Sequence, residues 1–559
     1  MSSVLTNKFR IHNAKSFVEG FSEAVPTNIY TAIGKVTPWS ATDTYSGAGS
    51  STSESNPPTP LDHVQNENEV WRNMIAAKKI KTNDVVHVIP RVNWEANKIY
   101  TMYTDTDATL LVDVINSSTP KPFYVMTDEF NVYKCLFNNN NQESTVKPTG
   151  NGTSLVKPSD GYIWKYMYTV SPSDAFRFMT ENFISVQTLE SDPGSGSSCA
   201  SPNLQFAVQD NAIAGAIDVI ARRIGSSNNG AGSGYASAAG TVISAAHSSG
   251  STTITLNGTL GVGDDYYNNL TFYFSTLGTA FTITDFTQVS GGNDTLVVSG
   301  DATSGVSSGA AFQILPTVTV TGDGTGVQAV AVMGSASNSS NADQIDSIKV
   351  LNGGSGYTKA SVAFTNATGV TTTDAVFDVI IPPQGGHGRD ATEELGGFFV
   401  MVNTKLEYDE PSITDKVLTT QNDYRQISLI RQPKLSASGN ADATADLYLQ
   451  TQVLTVASSD ITNTFLPDEV VTQSATNATG VIVDVLTDGN NKLIRIINVS
   501  GTFNTSSISS SGTASATGIG SITAPELLSN SGDVMFVEQR SGIVRNQSQI
   551  EDIKIILEF

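Results

Sequence analysis

Two cysteines, Cys135 and Cys199, are all that the 559 residues contain. That excludes a disulfide-stapled scaffold and, with no Cys-x-x-Cys pair, a thiolate zinc site; buried free thiols are the expectation. Long apolar runs are missing too. No stretch approaches the ~20 residues of a membrane span, and the N-terminal MSSVLTNKFR has no apolar leader segment. The expectation is a soluble chain that is made and used without processing. Positive charge is short, with 31 Lys and Arg against 53 Asp and Glu and a net charge of −22. Such a surface repels phosphate backbones and anionic lipid, so neither a nucleic-acid nor a membrane partner is expected. No phosphate-binding G-x-x-x-x-G-K-[ST] or zinc-binding H-E-x-x-H occurs.

What is present is organised around Lys121–Pro172. In its closing half, Tyr162, Trp164, Tyr166 and Tyr168 fall at every second position, which in an extended strand puts all four rings on one face. Tyr133, Cys135 and Phe137 alternate likewise, and the Asn-, Gly- and Pro-rich stretch between the halves reads as the loop of a long hairpin. At about 1.5–3 kcal/mol for each large apolar side chain buried, this face is a folding centre that must be covered.

Two helices are expected. The first runs from about His12 to Glu23 on an apolar stripe of Ala14, Phe17, Val18 and Phe21. The second runs from Glu67 to Lys79, with Val70, Trp71, Met74 and Ile75 on one face and lysines toward its C-terminal end. From Ser191 to Thr392 there is no Glu and no Trp, while Gly, Ser, Thr, Ala and Asp dominate, which points to short strands and tight turns. Two GSGY tetrapeptides, Gly232–Tyr235 and Gly354–Tyr357, suggest a duplicated β unit. The parse is a frame over 1–190, a duplicated unit over 191–240 and 316–384, and a small β module inserted at 241–315. The frame continues over 385–440, a second inserted module occupies 441–523, and C-terminal frame strands occupy 524–559. The fold class is mainly β, a multi-domain β-sandwich frame with a few short helices and inserted small all-β modules.

No residue set rises to a catalytic, cofactor or metal site. His387 stands in the Gly-rich turn GGHGRD, where a structural role is expected, and Asp390, Glu393 and Glu394 read as the cap and first turn of a short helix. The acidic pairs Asp105/Asp107 and Asp264/Asp265 lack the spacing of a calcium loop and read as solvated turns. Tyr266, Tyr267, Phe272 and Phe274 could stack on sugars, with core packing the preferred reading.

Five segments carry a resemblance along with the aromatic hairpin: TNKFR at Thr6–Arg10, TAIGKVTPWS at Thr31–Ser40, VIPRVNW at Val88–Trp94, DYRQISLI at Asp423–Ile430, and the C-terminal SGDVMFVEQR with IEDIKIILEF. In this order they resemble a baseplate wedge subunit of contractile-tailed bacteriophages of the T-even-like and cyanophage-type myovirus kind, the dimeric wedge protein. The resemblance implies a non-enzymatic virion protein in the tail baseplate, assembled in the host cytoplasm. It also implies a homodimer that joins neighbouring wedge and tail proteins and relays host attachment to sheath contraction. The candidate interface residues are Phe17, Val18, Phe21, Trp71 and Met74, with burial inside the subunit as their other reading. Two rival functions are a receptor- or glycan-binding virion protein, suggested by the β modules, and a glycan hydrolase, suggested only by the acidic pairs.

Overall fold

The computed structural model describes residues 4–43, 49–115, 118–194, 203–304, 306–334, 342–408, 417–437 and 441–559. Strands hold 40% of the chain and helices 9%, so the mainly β expectation is borne out. Cys199 lies outside the described residues, and Cys135 is buried as a free thiol. The chain divides into two compact units, Met1–Val88 with Phe398–Phe559, and Ile89–Gly397, so the division falls inside the expected first frame segment.

The first unit holds a five-stranded antiparallel sheet in the order Leu447–Leu449, Met74–Lys79, Ile29–Gly34, Tyr424–Arg431, Asp533–Ile543. Ile29–Gly34 is buried at all six positions because both of its edges are paired, with Tyr30 opposite Lys79 on one side and Ile430 on the other. A second sheet pairs Phe399–Leu406 with Val85–Pro90 and with the C-terminal strand Glu551–Glu558. Ile33, Ile75, Val400, Val402, Ile427, Leu429, Ile553 and Ile555 share one apolar core, and Thr31 and Thr404 share a buried hydroxyl contact of 2.6 Å. An eight-stranded sheet built from Gln452–Thr523 folds around its own core of Leu454, Val471, Ile482, Ile494, Ile496 and Phe503.

Both expected helices shift. The first spans Asn7–Glu19, where Thr6 Oγ1 accepts the Phe9 N–H and fixes the start. Phe21 thus lies past the helix end. The second spans only Val64–Asn73, and Met74–Lys79 is a strand. The apolar run Met74–Ala77 fits a helix face by spacing, but it is buried on both sides by its place next to the central strand; sheet pairing overrides the periodicity.

The second unit holds the aromatic hairpin as a three-stranded sheet of Tyr124–Met126, Asn131–Asn138 and Tyr162–Thr169. One face gathers Tyr100, Tyr133, Cys135, Tyr162, Trp164 and Tyr166, with Tyr162 and Trp164 stacked at 5.3 Å. Tyr168 does not join that row. Tyr133 pairs with Tyr166 while Val132 pairs with Tyr168, so an irregularity at Met167 breaks the alternation and turns Tyr168 into the opposite core with Ile89, Phe123 and Tyr124.

Ala238–Leu315 forms a closed six-stranded barrel whose core contains Val242, Ile254, Phe272, Phe274, Leu296 and Phe312. The flanking Thr317–Gly322 pairs with Ala360–Thr365, Thr325–Met333 with Ile345–Ser355, and Ile220–Arg222 with Phe377–Val379. Both GSGY turns have the same backbone signature. Gly232 and Gly234 sit at φ +64° and +81°, Gly354 and Gly356 at +62° and +78°, and Tyr235 and Tyr357 drop into one shared core. Those positive φ values are why both positions are glycine.

Candidate assembly surfaces and a buried charge cluster

The first helix places its apolar stripe against the first unit's own core. Ile11 and Ala14 are buried, Phe17 and Val18 are half-buried, and Phe21 is buried. Phe17 meets Phe21 edge-on at 5.4 Å and Phe559 at 5.3 Å. Arg10 reaches the C-terminal strand as well: its Nε donates to the Phe559 carbonyl, and its guanidinium lies 3.9 Å from the Phe398 ring centroid and pairs with Glu558. Trp71 and Met74 are buried with Tyr30, Val70, Ile430 and Tyr448 on the other face of the five-stranded sheet. Of the five candidate interface residues, then, Phe21, Trp71 and Met74 are covered by their own subunit, and Phe17 and Val18 keep partial exposure. The exposed apolar positions leading into and along this helix are Val4, Leu5 and Phe9, at 85%, 66% and 50% exposure.

The second unit contains a charge cluster that alternation alone did not reveal. Lys134 sits mid-strand in the aromatic hairpin, fully buried. Its Nζ is 2.8 Å from Glu394 Oε2, 3.2 Å from His387 Nδ1 and 3.9 Å from the centroid of the Tyr103 ring, which itself stands edge-on to His387. Glu394 Oε1 accepts the backbone N–H of Gly388 at 2.8 Å and of Asp390 at 3.3 Å. Asp390 caps the short helix Ala391–Glu394 as expected, but Glu394 is a buried partner and not a solvated first-turn residue. Burial pushes the Lys134 ammonium down, opposed by Glu394, and burial with the charges of Lys134 and Lys165 keeps His387 neutral. Lys165, on the neighbouring strand, donates to the Thr153 carbonyl at 2.8 Å, and burial raises the nearby Asp218 against the pull of Lys165, Lys157 and Lys134. A lysine inside the apolar strand VYKCLF, followed far along the chain by a Gly-flanked His and two glutamates, is the signal that would have found the cluster.

The remaining candidates resolve as structure. Asp107 pairs with Lys121 at 2.7 Å, and Asp264 accepts the Gln288 N–H at 2.7 Å. Tyr267, Phe272 and Phe274 are buried in the barrel and Tyr266 packs against its core, which removes them as a sugar-stacking platform. An open groove of about 960 Å³ in the second unit is lined by Tyr100, Asn138, Arg222, Lys359, Phe377 and Asp378 among others, a mixed surface with no convergent acid–base set. Among the described residues no group of three His, Cys, Asp or Glu is placed to hold a metal ion, and no helix is long and apolar enough to cross a membrane.

The class this defines is a multi-domain β framework with buried polar ties. Comparison with known proteins shows what the chain is similar to. The family described as Phage-Gp8, Bacteriophage T4 Gp8, matches residues 3–140, a span that takes in the first three of the resembling segments and the opening half of the aromatic hairpin. Baseplate wedge protein gp8 of Enterobacteria phage T4 is 24% identical over 222 residues, covering 34% of this chain and 63% of that relative. The chain thus spans a little under two thirds of the length of the curated relative it matches. These similarities support the resemblance read from the motifs, to a baseplate wedge subunit of T4-like phages.

Proposed function

We propose that the protein joins neighbouring wedge subunits of a phage tail baseplate as a homodimer and passes the movement that follows host attachment toward sheath contraction, without catalysing a reaction. The observation that carries this reading is the matched 3–140 segment, which includes the first helix and its exposed Val4, Leu5 and Phe9. An apolar entry to a helix whose inner face is already packed is suited to a second chain. Within the subunit, tightly packed sheets favour displacement as rigid bodies over internal rearrangement.

Two measurements test the reading. The isolated chain is expected to be a dimer by light scattering at roughly tens of micromolar, where mass action favours assembly. Mixed with the other tail proteins of its phage, it is expected to co-purify as part of a wedge. A monomer at these concentrations removes the dimer, and failure to join any tail protein removes the wedge role.

A further inference from the structure

The Lys134 cluster is arranged as a reaction site that would act on the protein itself. Lys134 Nζ lies 2.8 Å from one oxygen of Glu394, and the other oxygen of that carboxyl accepts two backbone N–H groups, from Gly388 and Asp390. Paired N–H donors on one oxygen of a carboxyl are the arrangement that stabilises charge when a nucleophile adds to the carbon. His387 Nδ1 is 3.2 Å from the amine, within hydrogen-bond reach of the proton that must leave, and lies beside Glu394 Oε2 at 3.9 Å, a distance it must close to protonate the oxygen that departs. Tyr103 closes the amine's other side and all three reacting groups are buried.

We infer that Lys134 and Glu394 condense into an intramolecular amide that ties the Asn131–Asn138 strand to the Ala391–Glu394 helix. The ammonium–carboxylate pair and the amine–carboxylic acid pair have the same atoms and protons, and one proton transfer across the 2.8 Å contact connects them. The amine electron pair then forms the C–N bond at Glu394 Cδ, and the charge collects on Oε1 under the two N–H groups. His387 takes one amine proton and hands it to the departing Oε2 hydroxyl, the C–O bond breaks, and one water molecule leaves. No oxidant, reductant or external acyl donor is needed. The fold supplies proximity, holding the amine 2.8 Å from an oxygen of the carboxyl it attacks, and proximity of this kind can substitute for chemical activation. The product is an amide with no charge to desolvate, closing a loop of 260 residues in sequence separation that contains the barrel and the duplicated strands. Closing a loop of that length restricts the unfolded chain.

Intact-mass measurement of the denatured full-length protein tests this directly. The expected mass is one water below that of the sequence, and a protease digest should yield a branched peptide joining the Lys134 and Glu394 fragments. Lys134→Arg should restore the full sequence mass, and His387→Asn should slow or prevent the loss. A wild-type protein at full sequence mass with both fragments unlinked overturns the inference, whatever the variants do. A water loss that persists in Lys134→Arg places it elsewhere in the chain and overturns it equally.

Discussion

Phe21→Ala separates a core residue from a contact between subunits. Phe21 is 6% exposed and meets Phe17 edge-on at 5.4 Å, and Phe17 in turn meets Phe559 at 5.3 Å, so the ring is one of three that fasten the first helix to the C-terminal strand. Removing a buried ring and leaving its cavity costs about 3–5 kcal/mol, of which the edge-on contact with Phe17 accounts for about 0.5–1.5 kcal/mol. For a unit of this size, each kcal/mol lowers the midpoint by about 2–4 °C, so a fall of about 10 °C is expected. Phe9→Asp is the matched control: at 50% exposure it should change the unfolding of the single chain by less than ~0.5 kcal/mol, while placing a charge on the surface proposed to meet a second copy. Light scattering and thermal unfolding at several concentrations read both variants. Phe21→Ala should stay dimeric and melt earlier; Phe9→Asp should become monomeric, with stability that no longer depends on concentration. The reverse pattern, a well-folded monomer from Phe21→Ala and an unaltered dimer from Phe9→Asp, would refute the assignment of the helix's two sides.

Four further outcomes are expected. Lys134→Met should destabilise the second unit by about 3–5 kcal/mol or more in urea unfolding, because it strands a buried glutamate and removes the inferred cross-link; adding Glu394→Leu should recover only the part due to the stranded carboxylate. Gly354→Ala should cost about 2 kcal/mol or more, since its φ of +62° disfavours a side chain and a Cβ would stand 2.3 Å from the Thr325 carbonyl oxygen. The Thr358 hydroxyl, then the Thr358 and Lys359 N–H groups, hold the Asp323 carboxyl well below the usual carboxylate range. Its contribution is therefore fully present above the unfolded value of about 3.9 and is lost as pH falls toward the folded one, and Asp323→Asn should flatten that acid limb in a pH series of unfolding curves. Replacing the 238–315 barrel by a short linker should leave a soluble remainder, because Ala238 pairs with Ile314 and the excised ends lie side by side; insoluble expression would show that the barrel's neighbours depend on it.

How much of this was legible in the sequence depended on whether a segment's surroundings repeat along the chain. The aromatic hairpin was readable because alternate residues share one environment: Tyr162, Trp164 and Tyr166 lie on one packed face. The second helix was misread beyond Asn73 because Met74–Ala77 is buried on both faces, and a run with no exposed side carries no period to distinguish helix from strand. Tyr168 was misplaced by one irregularity at Met167, which local pattern cannot foresee. The Lys134 cluster was the least legible feature. Its members are 260 positions apart, each ordinary in its own segment, and they become chemically notable only when the chain brings them within 2.8 Å of one another away from water. A lysine in the middle of a strand whose neighbours on both sides are core residues, as Tyr133 and Cys135 are here, should therefore be treated as buried until shown otherwise, because a strand covered on two faces leaves a long cation no route to solvent and obliges the fold to supply its partner. Here the partner comes from the turn of His387, so the glycines of that turn, which read as mere punctuation, are what bring Glu394 and two N–H groups to the amine.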